Sequence, residues 1–233
     1  MLFKKNKRVQ NNERPGLVVV NKPTSVVSEQ FRTIRTNIQF SMVDETLKSI
    51  VVTSAGPSSG KSTVSANLAV TFASEDKKIL LVDADLRKPT VHKTFNIKNI
   101  DGLTKLLTDK ETKIENTIYR THTEGLYLLT SGAIPPNPAE LLSSKRMTSI
   151  INEMYKYFDM VIFDMPPVLA VTDAQIMASK ADGVLFIIPK GEVSKEQMIK
   201  SKELLVNVKA NILGAVLNKV EKSDDNYYYY YGE

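Results

Sequence analysis

Lys61 and Ser62 close a run of small residues, Ala55-Gly56-Pro57-Ser58-Ser59-Gly60, and Thr63 follows them. Residues of these types in this order suit phosphate chemistry. Small side chains let the backbone wrap a phosphate so that several N–H groups point at it, and the positive end of a following helix adds attraction. A lysine placed here reaches the β- and γ-phosphates, and the next hydroxyl ligates Mg²⁺. The pattern is A-x-x-x-x-G-K-S, with Ala55 where glycine usually stands first. Gly56 to Thr63 are therefore the candidate phosphate cradle. Gly56 to Gly60 also read G-x-S-x-G, the turn that carries the serine nucleophile of many hydrolases. That reading needs a histidine after an acid later in the chain. The two histidines, His92 and His122, stand in no such setting, and Lys61-Ser62 would have no task, so the hydrolase is rejected.

Three acids complete the candidate chemistry: Asp83 and Asp85 in Val-Asp-Ala-Asp, and Asp164 in Val-Ile-Phe-Asp. Each ends an apolar run. A buried carboxylate is costly unless it is paired or metal-bound, and Mg²⁺, which keeps most of its ligands as water, supplies that compensation. Asp164 is expected to hold a Mg²⁺-bound water and Asp85 a second. Asp83 is left to orient an incoming hydroxyl or to accept its proton. The competing reading of Asp83 and Asp85 is the capping of a helix or turn.

These residues need a scaffold that gathers strand ends. Ser49–Thr53 reads as a strand, and a helical pattern runs from Thr63 to about Ser74 after the loop. Lys77–Asp85 reads as a strand buried on both faces of a parallel sheet, with alternation setting its two acids on one side. Short helices are expected at Gly102–Thr108 and Thr112–Tyr119, a strand at Leu126–Thr130, and a helix over Ala139–Ser143 entered through Pro138. Then come a helix near Arg146–Phe158, a strand Asp159–Asp164, a helix Thr172–Lys180, a strand Val184–Ile188, a helix Ser194–Lys209 and a strand Ile212–Leu217. Near the start, Leu17–Val20 reads as a short strand. A helix follows through Glu29–Phe40, capped by Ser25 or Ser28. Phe31, Ile34 and Ile38 share one face of it; Glu29, Arg32 and Arg35 share another, whose plain reading is a solvated ion pair. Strands alternating with helices predict the α/β class, a P-loop NTPase-type parallel β-sheet with helices on both faces.

The 233 residues, 42% hydrophobic, suit one domain with tails: a basic tail over 1–16, the domain over 17–221, and a tail over 222–233. The last tail carries five consecutive tyrosines, Tyr227, Tyr228, Tyr229, Tyr230 and Tyr231, between polar flanks. Five adjacent rings cannot alternate as strand core, so the segment reads as flexible and accessible. The absence of cysteine excludes disulfides, thiolate zinc and thiol catalysis. The net charge of +5 comes from 31 basic and 26 acidic residues, with Lys4, Lys5, Lys7, Arg8 and Arg14 at the start. That start reads as a solvated tail, or as a weak attraction to an anionic membrane surface. Nucleic acid is disfavoured because no aromatics interleave with the charge. No apolar run approaches a membrane span and no signal peptide is visible, so a cytoplasmic location is expected.

The set Gly-Lys-Ser-Thr, Leu-Leu-Val-Asp-Ala-Asp-Leu-Arg-Lys-Pro, Pro-Pro-Asn-Pro-Ala-Glu-Leu-Leu and Phe-Asp-Met-Pro-Pro resembles the bacterial tyrosine kinases, from about Pro23 to the chain end. The resemblance is strongest to the stand-alone cytoplasmic kinases of capsular and exopolysaccharide synthesis. It implies an ATP- and Mg²⁺-dependent protein-tyrosine kinase that phosphorylates its own tyrosine cluster in trans. Lys61, Asp83 and Asp85 would be catalytic, with Asp83 the base, and Ser62, Asp85 and Asp164 would hold the metal. Asn218 would face adenine. Glu29, Arg32 and Arg35 match E-x-x-R-x-x-R, which joins subunits into a ring. Implied partners are a membrane adaptor whose cytoplasmic tail activates the kinase, protein tyrosine substrates and a phosphotyrosine phosphatase; the adaptor would bring the chain to the inner membrane face. Two rivals remain: a nucleotide-dependent switch of the partition-ATPase type, whose signature lysine would fall at Gly56, and a catalytically silent regulatory subunit. Ser58, Ser59 and Met165 depart from the usual family residues.

Overall fold

Short apolar runs line up as a seven-stranded sheet in the computed structural model, which describes residues 16–41 and 47–220. The basic start and the tyrosine cluster Tyr227–Tyr231 lie outside the described residues. In chain order, α1 (Val18–Asn21) and α2 (Val26–Phe40) precede β1 (Ser49–Ser54), which leads into α3 (Lys61–Ala73). β2 (Ile79–Asp83), α4 (Val91–Thr94) and α5 (Leu103–Thr108) come next, then β3 (Ile118–Arg120) and β4 (Leu126–Leu129). The remainder runs α6 (Pro138–Ser143), α7 (Lys145–Met154), β5 (Met160–Asp164), α8 (Asp173–Ala178), β6 (Gly183–Pro189), α9 (Lys195–Asn207) and β7 (Ile212–Asn218).

The strand order is β3-β4-β2-β5-β1-β6-β7, parallel throughout except for the β3–β4 pair. Each central strand is apolar on both faces because both are covered. Val51, Leu80 and Val82 enter one core with Leu103, Met147 and Met177 from α5, α7 and α8. Their neighbours Ile50, Val52, Ile79 and Leu81 enter the other, with Phe31, Leu68 and Phe72 from α2 and α3. This is the expected doubly covered parallel sheet. Its consequence for function is the shared carboxyl edge, where Asp164 of β5 stands level with Asp83 of β2 and with Val52 of β1.

Three local expectations are corrected. Leu17–Val20 is not a strand: Val18–Asn21 is one helical turn. Leu17 is fully buried, and the turn is held by Asn67 of α3, which accepts from the Val19 amide at 3.0 Å and donates to Gly16 O at 2.6 Å. Packing on α3 overrides the β preference of the valines. Thr112–Tyr119 is not a helix. It is a 3₁₀ turn, Ile114–Asn116, followed by β3, which pairs antiparallel with β4 and buries Ile118 opposite Leu129. The second strand ends at Asp83, so Asp85 stands in the loop beyond it.

Ser25 caps α2 by accepting from the Ser28 amide. On that helix Glu29 and Arg32 pair with each other and are exposed, Arg32 also donating to Pro23 O at 2.8 Å. Arg35 does not share this exposed face as expected. Its side chain is 16% exposed, with Nη1 donating to Thr71 O at 3.0 Å and Nε 3.2 Å from Glu75 Oε1. Arg35 therefore pins α2 to the end of α3. Arg35→Ala should lower stability by about 1–2 kcal/mol, and Arg32→Ala should stay within about 0.5 kcal/mol of wild type. Paired denaturant melts check this, and equal losses would contradict the assignment.

Candidate active site

The loop after β1 is built by its own side chains. Ser54 Oγ and Ser59 Oγ both donate to Gly56 O, at 2.8 and 2.7 Å, and fold the loop on itself. Ser58 and Gly60 have positive φ, 58° and 81°. Gly60 is also crowded: a Cβ there would lie 2.3 Å from Asn218 Nδ2. Asn218, at the end of β7, donates to Ser59 O at 2.9 Å, so the last strand clamps the loop. Helix α3 begins at Lys61, two residues earlier than the periodicity suggested, with Gly60 as its cap. Lys61, Ser62 and Thr63 thus form its first turn, where amides are free to bind anions.

Lys61 Nζ lies 3.7 Å from Asp85 Oδ2, and both side chains are nearly buried. Asp85 Oδ1 accepts from the amides of Lys88 at 2.9 Å and Arg87 at 3.3 Å. Asp83 Oδ2 accepts from the amides of Thr90 and Val91, at 3.1 and 3.0 Å, at the start of α4. Capping is therefore a task that both acids perform. It leaves Asp83 Oδ1 without a partner among the described residues, although the residue is fully buried. Asp164 is in the same position: Oδ1 accepts from Ser65 Oγ at 3.0 Å, and buried Oδ2 has no partner among the described residues.

The electrostatics follow from this crowding. Burial first, then the charge of Asp164, pushes the Asp83 carboxyl well above the usual carboxylate range, against the pull of the Val91 and Thr90 amides. Burial also pushes Asp164 up to about 6; Lys61 and the hydroxyls of Ser62 and Ser65 hold it down. No three carboxylate or imidazole groups converge as a protein-built metal cage among the described residues. Two bare acidic oxygens beside a lysine and a hydroxyl instead suit a cation whose shell phosphate and water complete, which fits Mg²⁺.

Two contacts here have no clear sequence signal. Asp173, fully buried at the start of α8, receives a two-pronged bond from Arg87, Nε to Oδ2 and Nη2 to Oδ1, both at 2.9 Å. Asp173 reads in sequence as an ordinary first-turn acid. Thr90 Oγ1 donates to Ser62 Oγ at 3.0 Å, joining the loop after Asp83 to the phosphate loop.

A glycine-crowded loop between a buried strand and a helix, with strand-end acids beside it, defines a P-loop nucleotide-binding α/β domain. A family model described as an AAA domain matches residues 47–212. The tyrosine-protein kinase YwqD of Bacillus subtilis (strain 168) is 50% identical over 234 residues, covering 100% of this chain and 97% of that protein. Among solved structures, the chimerical protein CapA2B2 aligns with a TM-score of 0.86 at 39% identity, over 95% of both chains. The kinase domain of the Escherichia coli tyrosine kinase ETK aligns with a TM-score of 0.86 at 32% identity, over 98% of this chain and 88% of that one. The chain belongs to the bacterial tyrosine-protein kinases.

Two predictions follow from the acids. A carboxyl whose pKa is raised on folding binds protons in the native state that it would release when unfolded, so its ionisation costs stability above the folded pKa. For Asp164, between its ordinary 3.8 and about 6, that cost is at most about 3 kcal/mol. Asp164→Asn should therefore melt higher than wild type at pH 8 without nucleotide, with the gap narrowing as pH falls from 6 towards 4. A constant gap would contradict it. Removing Arg87 strands a buried carboxylate, whereas removing the Asp173 charge leaves a half-exposed guanidinium that water can reach. Arg87→Ala should cost about 3 kcal/mol and Asp173→Asn about 1 kcal/mol, measured by urea unfolding; the reverse order would refute this account.

Proposed function

We propose that this chain transfers the γ-phosphoryl group of ATP to protein tyrosines, its own Tyr227, Tyr228, Tyr229, Tyr230 and Tyr231 among them. The observation that carries the mechanism is the pair of bare buried oxygens, Asp83 Oδ1 and Asp164 Oδ2, beside a loop that presents Lys61 and Ser62. Mg²⁺ held on the Asp164 side of this pair with ATP would supply neutralisation of the charge on the transferring group. Gly56, Pro57, Ser58, Ser59, Gly60 and Thr63 wrap the phosphates, and Lys61 leaves Asp85 to meet them. Ser62, Asp85 and Asp164 would hold the metal. Asp83 has one oxygen tied to α4 and one free, so it offers a single atom to the tyrosine hydroxyl. Burial beside Asp164 favours its protonated form, and a neighbouring cation favours the carboxylate that accepts the tyrosine proton. Asn218 borders the base while clamping the loop.

The tail reaches its target in a neighbouring copy, and the ring contact falls to Glu29 and Arg32, the exposed pair of α2, together with Arg35 at the α2–α3 contact. The setting we infer is the control of capsular or exopolysaccharide synthesis, with a membrane adaptor as activator, other protein tyrosines as further substrates, a phosphotyrosine phosphatase as antagonist, and no nucleic acid partner. No helix among the described residues is long and apolar enough to cross a membrane. The adaptor would bring the chain to the inner face of the membrane from the cytoplasm.

The test mixes Lys61→Met protein, tail intact, with active enzyme truncated after Asn226, in the presence of Mg·ATP and an adaptor tail. Intact-mass spectrometry should find several phosphates on Tyr227–Tyr231 of the inactive partner. Lys61→Met alone should be silent, since the lysine supplies several kcal/mol of transition-state stabilisation in such sites. Asp83→Asn should slow transfer roughly tenfold or more at saturating ATP with nucleotide affinity kept. An unmodified tail refutes transfer in trans. ATP hydrolysis by wild type without phosphotyrosine would place the chain with the partition-type switches, although Gly56 lacks their lysine.

A further inference from the structure

We propose that Thr90 is a positioning residue for the metal-binding hydroxyl of Ser62, an inference that rests on the nucleotide reading above. Two observations meet at this residue. Its hydroxyl donates to Ser62 Oγ at 3.0 Å. Its backbone amide donates to Asp83 Oδ2 at 3.1 Å, and the next amide, Val91, donates to the same oxygen at 3.0 Å. Thr90 therefore ties the first acid of the loop to the hydroxyl that must face the cation.

The count of hydrogen-bonding positions on Ser62 Oγ shows what this tie does. A serine hydroxyl has one proton and two lone pairs. Because Thr90 donates, one lone pair is occupied and the Ser62 proton must point elsewhere. One lone pair remains. A free serine hydroxyl rotates among several such arrangements, and Thr90 selects the one in which a single lone pair is left for a cation. The tie is anchored through the backbone, because the amide of residue 90 is fixed by Asp83 whatever side chain residue 90 carries. Groups that orient a metal ligand in this way set metal affinity without touching the metal.

The side chain can be changed without disturbing the cap, so the test is specific. Full-length wild type, Thr90→Val, Thr90→Ala and Thr90→Ser are titrated with a fluorescent N-methylanthraniloyl ADP, first in EDTA and then at rising MgCl₂. Thr90→Val and Thr90→Ala should need about tenfold more Mg²⁺ for half-saturation. Thr90→Ser should match wild type, and all four should bind the nucleotide equally in EDTA. A purely structural role would weaken binding in EDTA as well and would lower the melting temperature. Unchanged Mg²⁺ dependence in both Thr90→Val and Thr90→Ala overturns the proposal. A lower Mg²⁺ requirement also overturns it, because Thr90 would then compete with the cation for Ser62. If wild type binds the nucleotide without any Mg²⁺ dependence, the metal reading fails and the role of Thr90 fails with it.

Discussion

Two carboxylates end neighbouring strands at the same level of the sheet, and the rest of the site is arranged around their cost. Asp83 and Asp164 are both fully buried, and the charge of Asp164 raises the electrostatic cost of ionising Asp83. A pair of this kind is poor for stability and is compensated only in part, by two amides on Asp83 and by Lys61 and serine hydroxyls around Asp164. The deficit is stored where a cation can relieve it. Burial in a sheet covered on both faces is what keeps it stored, because neither strand can tilt its end towards water without opening a core.

The segment from Ala84 to Thr90 shows how a loop can be made as rigid as the strand it follows. It is bonded to Asp164 through the Ala84 amide, to Asp85 through the Arg87 and Lys88 amides, to Asp173 through the Arg87 guanidinium and to Ser62 through Thr90. Those partners come from β5, the loop itself, α8 and α3. Asp85 thus has two roles at once: one oxygen shapes the loop and the other holds Lys61. Capping and phosphate chemistry, which looked like rival readings of these acids, are carried by different oxygens of the same side chains.

Most of this architecture was legible in the sequence because it is written in local pattern. Val51-Val52, Leu80-Leu81-Val82 and Val161-Ile162-Phe163 are apolar at every position, which only a strand covered on both faces requires. The misses have tertiary causes. The valines at 18–20 would suit a strand, but Asn67 offers their backbone a seat on α3. Ile118 pairs with Leu129 in an antiparallel edge too short for a strand period to show. Arg35 looks solvated by its spacing, yet it reaches Thr71 and Glu75, which no helical wheel of α2 contains. The Arg87–Asp173 pair spans 86 residues of sequence, and nothing near Asp173 announces it.

The position of β1 has a consequence for how the chain is made. β2 finds β4, and β4 finds β3, by Leu129, so three neighbouring strands of the sheet can form while synthesis is still under way. β1, although earlier in the chain, has no neighbour until β5 and β6 are made: Ser49 waits for Val161, and Ile50 for Gly183. Contacts this distant in sequence make for slow folding, and both edges of a strand that ends fully buried stay open meanwhile. The phosphate loop hangs from that strand, and its clamp, Asn218, arrives near the end of the described chain. Nucleotide therefore cannot hold a half-made domain together during translation; in the growing polypeptide the catalytic centre is the last part to assemble.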